Sequence, residues 1–188
     1  MNGRLTIWFI CSGLLITCYF CGSNNNRLTV NGSDTARHFK FPEKGEVAPE
    51  INCSDTAGHM LTLSSQRGKL VLLDFWASWC PPCRAENGNL VSVYRQFRDS
   101  AFINGTGFTL FSVSLDRTKD AWESAIVEDS LEWPCQVSDL QYWQSLPAEI
   151  YQVQGIPSNF LIDGNGRIID KDLRGTDLFK KLRRLLRK

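Results

Sequence analysis

Leu70 to Trp76 (LVLLDFW) is apolar at every position but one, and it runs into Trp79-Cys80-Pro81-Pro82-Cys83. An apolar run this short, bounded by Gly68 and the cysteine motif, suits a strand buried on both faces, as in a sheet covered by helices. The cysteine motif then opens a helix, because proline is tolerated in a first turn, where its missing N–H costs nothing. A strand that ends in a cysteine pair and turns directly into a helix leaves few possible folds.

The rest of the chain supplies the remaining elements. Ile51 to Ser54 and Met60 to Leu63 are short strand candidates around Asp55-Thr56-Ala57-Gly58. From Pro82 to about Ser100 the spacing of Leu90, Tyr94 and Phe97 predicts a helix. Phe108 to Leu115 reads as a second buried strand, Lys119 to Glu128 as a helix, and Cys135 to Val137 as a short strand. A helical turn is expected at Pro147 to Tyr151. Ser158 to Ile162 and Arg167 to Ile169 flank Asp163-Gly164-Asn165-Gly166, whose Gly and Asn residues are expected to take the positive φ angles of a tight hairpin. A final helix is predicted over Thr176 to Arg187. The order β-α-β-α-β, a hairpin and a last helix describes a mixed central sheet flanked by helices, the thioredoxin arrangement.

The position of the cysteine pair gives it its chemistry. A thiolate at a helix N-terminus is stabilised by the positive end of the dipole and by free N–H groups. Cys80 is therefore expected to be the exposed, low-pKa nucleophile, and Cys83 the thiol that resolves the mixed disulfide. A zinc site would need a second ligand pair, and only His38 and His59 are available, neither at metal-ligand spacing. A purely structural disulfide here would close almost no loop. Asp74 lies within the apolar run, where a carboxylate is costly unless used or paired. A buried carboxyl with a raised pKa is a candidate proton acceptor. Glu86 follows Cys83 by one helical turn, and its plain reading is an exposed charge favoured by the dipole.

The N-terminus has a different character. Leu5 to Phe20 is an uncharged apolar run, intermediate in length between a signal-peptide core and a membrane span. Residues 1–21 are read as an export signal or anchor, with Leu15-Ile16-Thr17-Cys18 approximating a lipoprotein site that would acylate Cys18; lipid and peptide anchors both stay open. Residues 22–45, rich in Asn, Ser and Gly, read as a flexible spacer, and residues 46–188 as the folded domain. Net charge is +1, so no global field recruits nucleic acid. Cys53 and Cys135 either pair or stay free, and the inert buried thiol is the preferred reading.

The segments Ala48-Pro49-Glu50-Ile51, Phe75-Trp76-Ala77-Ser78-Trp79-Cys80-Pro81-Pro82-Cys83-Arg84 and Gly155-Ile156-Pro157-Ser158-Asn159-Phe160-Leu161-Ile162-Asp163 resemble the TlpA/ResA-type thioredoxin-like proteins, the anchored extracytoplasmic thiol–disulfide oxidoreductases of bacteria. The resemblance spans roughly residues 46–188 and implies a thioredoxin fold with an N-terminal strand extension and a central α/β insertion. It implies a cis bond between Ile156 and Pro157 opposite the cysteine pair, with Trp79, Pro81, Pro82, Ile156 and Pro157 meeting the substrate. It also implies that Glu86 affects thiol protonation, and that Asp74 matches the buried aspartate of thioredoxin, which helps deprotonate the resolving cysteine. No bound cofactor is implied beyond the redox-active Cys80–Cys83 disulfide. Expected partners are protein thiols and disulfides, a membrane thiol-transfer reductant, and the membrane through the N-terminus; a monomer in the periplasm or cell envelope is expected. Disulfide reduction in envelope thiol repair or cytochrome c maturation is the implied role.

Two departures stand out. Gly88 replaces a proline common two residues after the glutamate, and Ser158-Asn159 stands where threonine is common; both bear on substrate preference. A thiol peroxidase is the second enzyme reading, since Ala48-Pro49-Glu50 occurs in that neighbouring family, but it wants a nearby Thr and Arg that the pair does not supply. A metal- or haem-handling thiol module is the non-enzyme alternative. For the basic C-terminal stripe (Leu178, Phe179, Leu182, Leu185, Leu186), packing on the sheet is preferred to membrane-surface binding. Trp122, Trp133, Tyr142 and Trp143 are read as core or surface cover.

Overall fold

The computed structural model describes residues 40–188. The apolar run, Cys18, His38 and the spacer up to residue 39 lie outside the described residues.

Leu70–Trp76 forms β3, with all seven side chains buried. It pairs in parallel with β6 (Phe108–Ser114) on one side and antiparallel with β8 (Ser158–Ile162) on the other. Strands β7 (Cys135–Val137) and β9 (Ile168–Lys171) complete the order β7-β6-β3-β8-β9. Sandwiching β3 between two strands and under helices explains why the run lacks polar alternation. The helices are α1 (Pro81–Phe97), α2 (Lys119–Glu128), α3 (Leu146–Ile150) and α4 (Gly175–Leu185). A separate hairpin of β1 (Asn52–Ser54) and β2 (Met60–Thr62) precedes the sheet. This is the thioredoxin arrangement.

Four expectations need correction. The folded region reaches back beyond residue 46: the Phe41 ring lies 6.5 Å from Phe160 with the Lys171 ammonium over it, and Gly45 N–H donates to the Ile168 carbonyl at 2.7 Å. Phe41 and Pro42 give the end of a polar stretch an apolar face to bury. Next, α1 stops at Phe97, and a small hairpin of β4 (Ala101–Phe102) and β5 (Gly105–Thr106) follows. Strands of two residues carry no periodicity and leave no signal.

The third correction concerns the 163–166 turn. Only Gly166 has positive φ there (75°). Asp163 organises the turn by accepting the Asn165 and Arg167 N–H groups at 3.0 and 2.9 Å. Gly164 is required for another reason: a Cβ there would sit 2.5 Å from the Asn104 carbonyl oxygen of the small hairpin. Lastly, α4 ends at Leu185, where the chain pairs with that hairpin through Phe102 and Leu186. Leu178 and Leu182 are fully buried, and Phe179 packs on Phe97 at 5.5 Å, so the apolar stripe of α4 is spent on the domain itself.

Cys53 and Cys135 are buried free thiols. The antiparallel bridge Asp55–Val137 sets the register between β1 and β7. It puts Cys53 and Cys135 out of step, so neither can reach the other. Burial pushes the Cys53 thiol up to about 11, which suppresses its thiolate.

Candidate active site

Cys80 stands at the N-cap of α1 in extended conformation, and its Sγ accepts the Cys83 N–H at 3.2 Å. Pro81 and Pro82 follow, so the first two positions of the helix have no N–H to offer. Cys80 and Cys83 are joined as a disulfide. Across from them the Ile156–Pro157 peptide is cis, and the Ile156 carbonyl oxygen lies 3.8 Å from Cys80 Sγ. Cys80, expected to be exposed, is only 4% exposed, against 1% for Cys83. The sulfur offers a small target, and the Ile156–Pro157 loop forms one side of the approach to it.

The loop between β3 and α1 is held rigidly. Asp116, at the end of β6, accepts Ser78 N–H at 3.0 Å, Ser78 O–H at 2.6 Å and Ser114 O–H at 2.6 Å. Trp79 Nε1 donates to the Leu115 carbonyl at 3.2 Å. On the helix side, Arg84 grips Asp129 through two nitrogens and Glu128 through one at 2.8 Å, while Asn87 Nδ2 donates to Asp129 at 2.6 Å. These links fasten the cysteine motif to the ends of β6 and α2. A site built on rigid elements holds its geometry better than one on a free loop.

Asp74 of β3 and Glu86 of α1 form an acidic pair with one cation nearby. Asp74 is 3% exposed. Burial pushes its carboxyl up to about 7, the nearby Glu86 carboxylate adds to the rise, and the Arg174 guanidinium opposes it. Arg174 also donates to the Pro157 carbonyl, so one cation touches the cis-proline loop and senses the buried acid. Asn159 positions it: its side chain accepts Leu173 N–H at 2.9 Å and donates to the Leu173 carbonyl at 2.8 Å. The departure at Asn159 is thus a tether for the Arg174 strand end.

Glu86 has a second duty. Its Oε1 accepts the Gly175 N–H at 2.7 Å, capping α4, whose own N-cap, Arg174, supplies no side-chain bond. Glu86→Ala will lower the unfolding free energy by about 1 kcal/mol, as loss of a helix cap does. Glu86→Gln keeps an oxygen for Gly175 and removes the charge. It will hold most of that stability while moving the Asp74 titration to lower pH, which carboxyl NMR reads directly.

The structure therefore sets Cys80 and Cys83 against Ile156, and groups Asp74 with Glu86 and with Arg174, which reaches Pro157; Trp79, Pro81 and Pro82 flank the pair on the exposed side. Asp116, Asp129, Asn159 and Arg174 belong to the same assembly and were not singled out by sequence for these roles. Buried polar residues at the ends of apolar runs were the signal available, but nothing local named their partners.

The AhpC/TSA family profile matches residues 44–171. The thiol-disulfide oxidoreductase ResA of Bacillus subtilis is 28% identical over 134 residues, covering 71% of this chain and 68% of that protein. ResA of Geobacillus kaustophilus is 30% identical over 124 residues, 66% of each chain. Among solved structures, the thioredoxin domain of a thiol-disulfide oxidoreductase from Bacteroides vulgatus superposes with TM-score 0.68 at 37% identity, covering 76% of this chain and 96% of that one. The C-terminal domain of a putative thiol-disulfide oxidoreductase from Bacteroides thetaiotaomicron gives TM-score 0.68 at 32% identity over 76% of this chain and 95% of that one. A cysteine pair at the mouth of a thioredoxin fold and relatives of this kind agree: the chain belongs to the AhpC/TSA family, and within it to the ResA-type thiol–disulfide oxidoreductases.

Proposed function

We propose that this thiol–disulfide oxidoreductase works outside the cytoplasm as a reductant of protein disulfides, held at the membrane by its N-terminal segment. In the reduced protein, Cys80 thiolate attacks one sulfur of a substrate disulfide, forms a mixed disulfide and expels the other substrate sulfur as thiolate. Cys83 then gives its proton to the Asp74 carboxylate and attacks Cys80 Sγ. The second substrate thiolate leaves, and the Cys80–Cys83 disulfide remains, so two electrons have passed to the substrate. A membrane dithiol donor restores the reduced pair.

The observation that carries the direction of flow is how few donors reach Cys80 Sγ. A strongly oxidising member of the fold owes its potential to a stabilised reduced form. Here Pro81 and Pro82 remove two of the N–H groups that a helix start would otherwise aim at the thiolate, leaving that of Cys83. The neighbouring cation, Arg84, is turned to Asp129 and Glu128. The helix start thus stabilises the Cys80 thiolate less than its position alone led one to expect, which favours the disulfide and makes the dithiol a reductant. Export is supported by the uncharged apolar run from Leu5 to Phe20. Among the described residues no helix is long and apolar enough to cross a membrane, so anchoring rests on that run. The resemblance supports envelope thiol homeostasis or cytochrome c maturation as the setting.

Equilibration of the Cys80–Cys83 pair against a glutathione or dithiothreitol buffer, with mass-resolved trapping to separate it from Cys53 and Cys135, tests this reading. A potential near or below about −270 mV, the thioredoxin value, is expected. A potential near about −120 mV, the oxidising end of the fold, would make the protein a disulfide donor and end the reductive proposal.

A further inference from the structure

Trp79, immediately before the cysteine pair, is the inner edge of an aromatic cluster that thiol exchange alone does not need. Its ring centre lies 5.0 Å from that of Tyr142 and 6.1 Å from that of Trp143, and the last two are 6.0 Å apart. The Arg117 guanidinium sits 4.2 Å above the Tyr142 ring. Two of the rings stay open to solvent, Trp79 at 41% and Trp143 at 38% exposure, and Leu146 beside them is 44% exposed. Single exposed apolar side chains are ordinary, but a contiguous group marks a surface that another molecule covers.

The cluster is held in place at a cost. Leu140 and Tyr142 both take left-handed backbone (φ 56° and 57°) without being glycine. Such strain persists where the surroundings over-determine it, commonly at ligand clamps. Asp139 supplies the restraint, accepting Gln141 N–H at 3.2 Å and Leu146 N–H at 2.9 Å, and Ser138 Oγ accepts Leu140 N–H at 3.1 Å. From below, the bond between Trp79 Nε1 and the Leu115 carbonyl satisfies the polar edge of the indole and leaves its apolar surface free. Arg117 makes no ion pair among the described residues, so no carboxylate neutralises the cation that lies over Tyr142.

We propose that Trp79, Tyr142, Trp143 and Arg117 form a docking platform for an extended segment of a protein substrate. That segment carries an aromatic or large aliphatic side chain beside its reactive cysteine and a carboxylate beyond it. The proposal rests on the thiol-exchange reading and adds the kind of sequence exchanged. The occupant follows from continuity with the site. A substrate sulfur bonded to Cys80 brings its own neighbouring residues between the Ile156 carbonyl, 3.8 Å from Sγ, and the Trp79 ring. The flanking residues on the Trp79 side then meet the remaining rings, and Arg117 complements an acidic group farther along. Aromatic side chains and arginine are the residues that dominate such contacts.

The test compares two disulfide-bonded peptides as substrates of the full-length protein, with dithiothreitol returning Cys80–Cys83 to the dithiol and the rate without protein subtracted. One has Trp next to the cysteine and Glu two or three residues on; the other has Ser and Lys at those places. Hydroxyethyl disulfide serves as a substrate with no flanking chain. The Trp/Glu peptide is expected to show kcat/KM about tenfold above the Ser/Lys peptide, the scale of one good aromatic contact, expressed mainly in KM. Within Trp143→Ala the ratio between the peptides is expected to fall to about twofold, and within Arg117→Gln the share due to Glu is expected to vanish. Equal kcat/KM for both peptides in the unaltered protein, or a ratio that survives Trp143→Ala, overturns the platform while turnover of hydroxyethyl disulfide keeps the exchange reading. No turnover of any of the three disulfides overturns the exchange reading and the platform with it. A dimer in sedimentation that Trp143→Ala converts to monomer would assign the patch to contact between copies, and also overturns the proposal.

Discussion

Cys80→Ser will leave turnover of a disulfide substrate at the rate measured without protein, and Cys83→Ser will accumulate as a mixed disulfide with its substrate. The asymmetry follows from position. Cys80 heads α1, and its sulfur lies 3.8 Å from the Ile156 carbonyl, on the side proposed for the substrate. Cys83 is 1% exposed and reaches only the sulfur that Cys80 presents to it. Serine at position 80 removes the atom that is attacked in every later step, so no slower route remains within the site. Serine at position 83 leaves the first step intact and deletes the second. Non-reducing electrophoresis and intact mass will show a Cys83→Ser adduct that dithiothreitol dissolves. Turnover that persists in Cys80→Ser would refute the assignment, because the other free cysteines among the described residues, Cys53 and Cys135, are buried and neither belongs to the site.

Asp74→Asn will stabilise the protein at alkaline pH and slow it at neutral pH. The carboxyl titrates near 7 in the fold against an ordinary 3.8, chiefly because it is buried. Between those two values the native state holds a proton that the unfolded chain has released, so stability falls as pH rises through that window. Above about pH 7 the penalty is complete, and below about pH 4 it is absent. At about 1.4 kcal/mol per pH unit, the distance corresponds to about 4 kcal/mol. Asparagine keeps the shape and carries no charge, so urea unfolding at pH 8 will show a gain approaching that size, and at pH 4 almost none. A gain equal at both pH values would mean that ionisation is not the cause.

The kinetic arm has the opposite sign. In the proposed role of acceptor for the Cys83 proton, the Asp74 carboxylate will make resolution of the mixed disulfide rise with pH around 7. In Asp74→Asn that rise moves toward the ordinary thiol range, and resolution at pH 7 slows by about a hundredfold, the scale of a lost general base. Stopped-flow measurement of mixed-disulfide decay separates this step from the first attack. An unchanged pH profile would remove Asp74 from proton transfer and leave it a buried acid only.

Much of this was legible in the chain. The cysteine pair, its proline spacing and the buried strand before it declare the redox motif, because each signal lies within a dozen residues and depends on local sterics. The main strands and helices follow the apolar pattern in the same way, to within a few residues at their ends. Elements too short to have a period, such as the Ala101–Phe102 and Gly105–Thr106 strands, were invisible. Gly164 was read through its φ when its real constraint is the backbone of Asn104 pressing against it.

What sequence alone determined is therefore the chemistry at Cys80 and Cys83 and the order of elements around it. What only the tertiary structure decided is the company those cysteines keep. Sheet register sets Asp74 beside Ser112 and Asn159, and Ser112 beside Gln136, making one buried polar row across four strands. The start of α4 carries Arg174 to Pro157 and Gly175 to Glu86, joining positions 17 and 89 residues apart in the chain. Asp116, Asp129 and the Trp79–Tyr142–Trp143 cluster likewise depend on segments that meet only when the sheet closes. Propensity and periodicity act over a few residues, whereas the electrostatic surroundings of a buried carboxyl and the makeup of an exposed patch depend on which distant segments packing brings within a few ångströms.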